Sequence, residues 1–506
     1  LQAIRLTRQI GRDDILRIYL NTAPYGRNLV GCEAASRYYF GKPAKELTIS
    51  EAAFLAGLPK APTYYSPFNN YGAALARRNY VLGRMCDEGM ISRKERDASR
   101  KEPLGVEAHS FSKFSPHLAM AMKEQFEQGK QIHTTIDKSI QALLEKRLLR
   151  AVRNLGREVD NAAAIVVDVK TAEILARAGS AGFFEAPEGQ YDACRANRSP
   201  GSTLKPFAYA LAMEKSLLYA DEKLLDDTWD HGLYNPENFD LKHRGLVSAS
   251  YALKRSLNIP AVIVLERVGV RNFVSLLKKA GLTTLVRLPD EYGLGLTLGN
   301  CEVQLEELAA AYCMLANLGV YRPLSFQPGE SLPEKSIFSR GTCVKVYEML
   351  EQPLPAELDR IGLQPVNINP RVCWKTGTSW GLRDAWTFVF NGHYVVGVWM
   401  GNNDGRSSRR LVGAQAALPL AAGIFRNLPK KSTPAWPEID GTLKKVRICS
   451  VSGLPASQWC LHTQDAYLPR CQFVHRKCEV HYPAPSDNVK KEENRGIIER
   501  WPGSAQ

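Results

Sequence analysis

Ser199-Pro200-Gly201-Ser202-Thr203-Leu204-Lys205-Pro206-Phe207 is the stretch from which the fold and chemistry of this 506-residue chain are read. The Pro-Gly pair before Ser202 signals a turn, and the apolar run Phe207–Met213 behind it signals a buried helix. Ser202 therefore stands where a turn opens a helix. Pro206 has no N–H, so the Ser202 carbonyl is expected to lose its helical partner and the first turn to be irregular. Lys205, three residues on, lies over the same helix face and within reach of the hydroxyl.

Two more short motifs lie downstream, Ser256-Leu257-Asn258 and Lys375-Thr376-Gly377. Together the three supply a nucleophile with an adjacent amine, a second hydroxyl and amide, and a second cation beside a glycine. Acyl transfer through a serine ester requires that set. No motif persuades alone, because S-x-x-K recurs at Ser110–Lys113 and Ser275–Lys278, and S-x-N recurs at Ser486–Asn488. K-T-G occurs once, and only Ser202 has both other motifs behind it at domain-scale spacing. The stray copies read as surface.

Outward from the motifs, a chain of this length predicts two to four domains. The net charge of +14 implies an anionic partner: nucleic acid, a phospholipid surface or a lipid pyrophosphate. No dense Lys/Arg block with interleaved aromatics and no zinc-finger or helix-turn-helix signature appears, so no nucleic-acid partner is expected. No stretch reaches eighteen consecutive apolar residues, which excludes a membrane span within the chain. It begins without Met, already amphipathic, so an N-terminal truncation is expected, and with it the loss of any anchor.

Seven of the eleven cysteines are scattered singly from Cys32 to Cys373 and read as buried small hydrophobes. Four cluster late, at Cys449, Cys460, Cys471 and Cys478. Their spacings contain no C-x-x-C, which argues against structural zinc even with His462, His475 and His481 nearby. Disulfides in an oxidising compartment are expected instead, with three pairings open. No metal ligands are assigned.

Residues 1–110 read as helical, with a capping box at Thr48-Ile49-Ser50-Glu51, a stop at Gly57-Leu58-Pro59, and a second helix over 73–88. Ile165–Ala176 reads as strand, turn, strand. Helices are predicted around 202–215, 247–258, 269–280 and 302–318. Strands follow at Arg371–Thr376, Ala385–Asn391 and Tyr394–Met400, the last two joined by a Gly392-His393 turn. A sheet bracketing a helical middle predicts an α+β sandwich. Ser432–Pro437 reads as a Pro-rich linker, the Cys-rich module beyond it as short strands, and the tail from Ser486 as polar and poorly ordered.

These motifs resemble the class A, bifunctional penicillin-binding proteins, most closely the 1C type, over essentially the whole chain. The helical region matches at Tyr19-Leu20-Asn21, Tyr25-Gly26, Tyr39-Phe40-Gly41-Lys42, Glu51-Ala52 and Leu55-Ala56-Gly57-Leu58-Pro59. Thr134-Thr135-Ile136-Asp137, Gly293-Leu294-Gly295 and Ala309-Ala310-Ala311-Tyr312 also match. The resemblance implies the C-terminal part of a lysozyme-like glycosyltransferase domain (1–110) and a linker (111–132). It implies an α+β serine transpeptidase domain of the β-lactamase type (133–430), a second linker (431–440), and a small β-rich module (441–506). The family's catalytic and second essential Glu would lie before Leu1, with Glu33 and Glu51 structural, so this chain is not expected to polymerise glycan.

The resemblance also implies roles. Ser202 is the nucleophile and Lys205 its base, made neutral by desolvation and by repulsion from Lys375. Ser256 relays the proton to the leaving amine, and Asn258 orients Lys205 and the substrate amide. Lys375 holds the substrate's terminal carboxylate, with the Thr376 and Thr378 hydroxyls beside it, and Gly377 lets substrate backbone approach. The Ser202 and Thr378 N–H groups form the oxyanion hole. Trp374, Trp380 and Trp399 read as packing residues. The implied partners are peptidoglycan stem peptides, lipid-linked precursor, β-lactams and the periplasmic face of the bacterial inner membrane. Protein partners are not named by the residues. No cofactor is implied, any divalent-cation need belonging to the glycosyltransferase motifs. A D,D-carboxypeptidase or β-lactamase shares fold and motifs, and a non-catalytic penicillin sensor or scaffold stays open.

Overall fold

The computed structural model describes residues 10–109, 114–126, 131–184, 188–228, 235–355, 370–438, 441–483 and 497–499. The stray motifs at Ser110–Lys113 and Ser486–Asn488, and the tail from Ser486 apart from 497–499, lie outside them. Two compact units divide at residue 113, and each is described by itself.

In the first unit, helices α1 (Arg12–Thr22), α2 (Cys32–Phe40), α3 (Ile49–Gly57), α4 (Tyr71–Asp87) and α5 (Arg93–Lys101) follow one another. The predicted capping box is formed: Thr48 accepts from the Glu51 N–H, and Glu51 accepts from the Thr48 N–H. Glu51 also pairs with Lys42, and Glu33 accepts from the Ala44 N–H and from Arg37, so both carboxylates are engaged in structure. Tyr25, Tyr39, Phe54, Leu55 and Leu58 make the core.

In the second unit, α6 (Pro116–Gln125) and α7 (Lys138–Leu155) precede a hairpin of β1 (Asn161–Asp168) and β2 (Ile174–Ala178). After the helical middle come β3 (Cys373–Thr378), β4 (Asp384–Phe390) and β5 (Tyr394–Gly401). The sheet runs in the order β2-β1-β5-β4-β3, with every pair antiparallel. Successive side chains of a strand point to opposite faces. In β1, Ala162, Ala164 and Val166 pack under α7 and α14 (Ala417–Arg426), while Ala163, Ile165 and Val167 join the opposite core. That opposite face is covered by α8 (Lys205–Glu214), α10 (Asn258–Val268), α12 (Leu305–Ala316) and α13 (Arg340–Leu350). The expected α+β sandwich is present, and burial on both faces explains why β4 and β5 read as continuous apolar runs.

Three expectations are corrected. The segment 111–132 is not simply linker: α6 belongs to the second unit, where buried His117 accepts from the Gly179 N–H and lies 3.0 Å from the Gly189 carbonyl. The described part of the second linker, 431–438, is strapped down, with Trp436 edge-on to Tyr347 and the Ala435 carbonyl accepting from the Gly392 N–H. The four late cysteines do not sit as two pairs. Cys471 stands apart, its Sγ 3.1 Å from Ser339 Oγ, while Cys449, Cys460 and Cys478 converge around His481. The module's main hairpin pairs Leu443–Cys449 with Thr463–Pro469. Among the described residues no helix is long and apolar enough to cross a membrane.

Candidate active site

The Ser202 turn is built as Pro206 requires. Gly201–Leu204 forms a 3-10 turn before α8, and the Ser202 carbonyl accepts from the Lys205 N–H instead of the missing donor at 206. Gly201 is left-handed at φ +52°, and a Cβ there would lie 2.5 Å from the Thr378 carbonyl oxygen. The turn therefore abuts β3. It is anchored from other elements: Trp386 Nε1 donates to the Ser199 carbonyl (2.7 Å), Tyr312 Oη to the Thr203 carbonyl (2.7 Å), and Ser199 Oγ to the Gly299 carbonyl (2.8 Å).

Lys205 is fully buried, and its Nζ donates to the Ser256 carbonyl (2.7 Å), the Leu257 carbonyl (3.0 Å) and Asn258 Oδ1 (2.7 Å). Among the described residues no carboxylate pairs with it. Burial, then the charge of Lys375, drives the Lys205 amine well below the usual lysine range, with Asp226 opposing the shift. Lys375 is also buried; its Nζ donates to Ser256 Oγ (2.6 Å) and to the Thr376 carbonyl (2.9 Å), and burial pulls it down to about 7. The two lysines thus meet at Ser256, Lys205 on its carbonyl and Lys375 on its hydroxyl, with the Asn258 amide also on Lys205. Among the described contacts Ser202 Oγ is not yet bonded to Lys205; substrate-free sites often tighten only when ligand binds.

The predicted helix over 247–258 breaks at this point. It ends at Lys254, Ser256 takes the left-handed conformation at φ +59°, and α10 starts at Asn258. A non-glycine residue there stores about 1–3 kcal/mol of strain. The break aims the Ser256 and Leu257 carbonyls at Lys205 and the Ser256 hydroxyl at Lys375. Asn258 is fixed in turn: its N–H donates to Asn238 Oδ1 (2.7 Å), its Nδ2 to the Glu237 carbonyl (2.6 Å), and Asn238 Nδ2 donates to buried Asp226 (2.7 Å).

The β3 residues divide by face. Lys375 and Gly377 point toward the Ser202 turn, and a Cβ at Gly377 would lie 2.3 Å from the Pro200 carbonyl oxygen and 2.8 Å from the Thr203 methyl. The glycine is thus needed for the protein's own nucleophile turn, not, on that side, for substrate backbone. Thr376 and Thr378 lie on the other face, and Thr378 Oγ1 accepts from the Gly413 N–H (3.0 Å), so its hydroxyl is already engaged away from Lys375. The Thr378 backbone nonetheless runs beside Gly201, which brings the two expected oxyanion donors to one place. Of the tryptophans, Trp399 is buried, Trp374 is half-buried, and Trp380 is 94% exposed, so it is not a packing residue. Ser275, in the one described stray motif, lies exposed on α11 (Val270–Lys279). Asp226, Asn238, Tyr312 and Trp386 carry no local signal for this site; only the fold assembles them.

The chain matches the Transglycosylase family over residues 1–86 and the Penicillin binding protein transpeptidase domain over residues 162–378. It is 36% identical to penicillin-binding protein 1C of Escherichia coli over 85% of this chain and 55% of that protein. It is 31% identical to penicillin-binding protein 1F of Bacillus subtilis over 79% of this chain and 59% of that protein. The chain thus spans a little over half the length of these relatives. Penicillin-binding protein 1A of Haemophilus influenzae shares the fold, with a TM-score of 0.66 at 19% identity over 93% of this chain and 92% of that one. PonA1 of Mycobacterium tuberculosis, solved in complex with penicillin V, superposes with a TM-score of 0.52 at 18% identity over 64% of this chain and 97% of that one. With a transglycosylase region ahead of a transpeptidase domain, the chain belongs to the class A penicillin-binding proteins.

Proposed function

We propose that the second unit is a serine D,D-transpeptidase that cross-links peptidoglycan stem peptides, and that β-lactams acylate the same residue, Ser202. The observation that carries this reading is the buried, carboxylate-free Lys205 one turn after Ser202, joined through Ser256 to Lys375. A serine hydroxyl needs a base, and a lysine serves as one only when neutral. Burial and Lys375 favour that state.

In this mechanism Lys205 releases one of its three oxygen contacts and takes the Ser202 proton as Oγ attacks the carbonyl of the penultimate D-Ala. The Ser202 and Thr378 N–H groups receive the oxyanion, and loss of one such donor costs about 3 kcal/mol of barrier. The C–N bond breaks as Ser256 passes a proton to the departing D-Ala amine and is recharged along the Lys205–Lys375 pair. An amine of a neighbouring strand then attacks the Ser202 ester, its proton passes by way of Lys205 to Ser202 Oγ as the C–O bond breaks, and the hydroxyl is restored. Lys375 in its charged form holds the donor's terminal carboxylate, Thr376 and Gly377 shape the strand beside it, and Asn258 keeps Lys205 aligned.

The penicillin V complex of the mycobacterial relative supports the inhibitor class. In the same reading residues 1–86 belong to a domain that polymerises glycan from lipid-linked precursor in the whole protein, at the periplasmic face of the plasma membrane. The test is covalent labelling by a fluorescent penicillin. Label is expected on the parent chain and absent from Ser202→Ala. An unlabelled parent chain would overturn this reading, and rapid loss of label would indicate a hydrolase.

A further inference from the structure

We infer that Cys449, Cys460, Cys478 and His481 form a structural zinc site that holds the C-terminal module together. Their four ligand atoms lie within 4.8 Å of one another, and all but half-exposed Cys460 are buried. His481 Nδ1 is 3.6 Å from Cys449 Sγ and 3.2 Å from Cys478 Sγ. A tetrahedral zinc with ordinary Zn–S and Zn–N bonds separates sulfur from nitrogen by about 3.6 Å. Three thiolates and an imidazole make a closed set with no position left for a reacting water, which is the structural rather than the catalytic arrangement.

The surroundings suit thiolate. The Ser452 N–H points at Cys449 Sγ (3.5 Å) and the Ser457 N–H at Cys460 Sγ (3.3 Å), donors that orient and stabilise a metal-bound sulfur. The alternative fails on arithmetic. Three cysteines converge here and Cys471 is elsewhere, so one disulfide would leave a thiol and an imidazole buried against it. Zinc uses all four ligands. Among the described residues, the buried cluster within the module is Cys449, Cys478 and Val480, with Val451 and Cys460 against it, so the ligand cysteines are themselves its centre. A unit this small needs a staple.

Against the sequence expectation, the ligand pattern is C-x10-C-x17-C-x2-H, and its Cys478-Glu479-Val480-His481 half is invisible to a search for paired C-x-x-C. The site joins the end of one hairpin strand, the turn before the next and the following segment. On binding, the three thiol protons pass to solvent, and no redox step is involved. The site also braces the transpeptidase fold. The Ser452 carbonyl accepts from the Lys223 N–H (3.0 Å), and Gly453, left-handed at φ +72°, packs against the Asp221 backbone with no room for a Cβ.

Metal analysis of the purified full chain, prepared without chelator, tests the inference. About one zinc per chain is expected, falling at least tenfold in Cys478→Ser and His481→Ala and unchanged in Cys471→Ser. Should the first two variants misfold, cobalt added to the reduced, zinc-depleted parent chain is expected to give the absorption bands of tetrahedral thiolate-bound cobalt. Thiol titration in denaturant with chelator is then expected to count all eleven cysteines. Failure of the reduced chain to take up zinc or cobalt, equal metal content in Cys478→Ser, or a titration two thiols short through a disulfide at these positions would overturn the inference.

Discussion

Two buried cations of the second unit are treated in opposite ways. Arg177, in β2, is 1% exposed and pairs with Asp192 (2.7 Å) and Glu306 (3.0 Å), while the Gln141 amide holds its backbone. Lys205, equally buried, faces carbonyls, an amide and a second lysine. A cation given two carboxylates is locked in its charged form and braces the sheet against α7 and α12. A cation bonded only to neutral oxygens, with a like charge beside it and its nearest carboxylate out of contact, is pushed toward the free amine. The same desolvation thus makes a strut in one place and a base in the other, and the counter-charge decides which.

The contrast is broken most sharply at the base. Lys205→Met is expected to slow acylation by a fluorescent penicillin by about 10²–10⁴-fold, the range for a lost general base, with urea stability retained. Lys205→Arg, which cannot deprotonate, is expected to be as slow. Arg177→Met should do the reverse. It removes the buried cation shared by Asp192 and Glu306, leaving Glu306 only Arg195 (3.5 Å), and a stability loss of about 3 kcal/mol in urea is expected, with the acylation rate per folded molecule unchanged. If Arg177→Met slowed acylation and left stability alone, the distinction between strut and base would fail.

Gly377→Ala sits between these outcomes. Its methyl would press on the Pro200 carbonyl oxygen, and shifting the nucleophile turn is expected to slow acylation roughly tenfold, at a stability loss of about 1–3 kcal/mol. The pH profile gives a finer test. Acylation is expected to rise with pH as Lys205 sheds its proton, and to fall as Lys375, at about 7, loses the charge that holds a carboxylate. Lys375 is depressed in the fold, so the unfolded chain binds more protons above about 7 and its contribution to stability rises with pH from there toward the ordinary lysine range. The smallest effect is at Asp226, whose charge holds Lys205 up. Asp226→Asn is expected to move the ascending limb to lower pH, and an upward move would contradict the assignment.

Much of this was legible in the chain itself. Period and punctuation located β1 and β2, β4 and β5, and the helices over 205–214, 270–279 and 305–316, because each is set by local pattern. The Ser202 turn was legible because Gly201 and Pro206 constrain their own neighbours. The break at Ser256 was not, since its left-handed backbone is imposed by what Lys205 and Lys375 need from it. Trp386 and Ser199 lie 187 residues apart, and nothing local marks a tryptophan as the anchor of a distant carbonyl. Gly377 reads in the sequence as space for substrate, whereas the space beside it is taken by Pro200 and Thr203. The spacing of the late cysteines argues against zinc because the Cys-His cluster draws its ligands from three segments that only the folded module brings together.

Peptide mapping by mass spectrometry after brief exposure to penicillin V tests most directly that Ser202 carries the acyl group. The intact penicilloyl adduct is expected on the peptide containing Ser202-Thr203-Leu204-Lys205 and on no other, and none at all in Ser202→Ala. An adduct on Ser256 or any other residue, or one that persists in the variant, would contradict it.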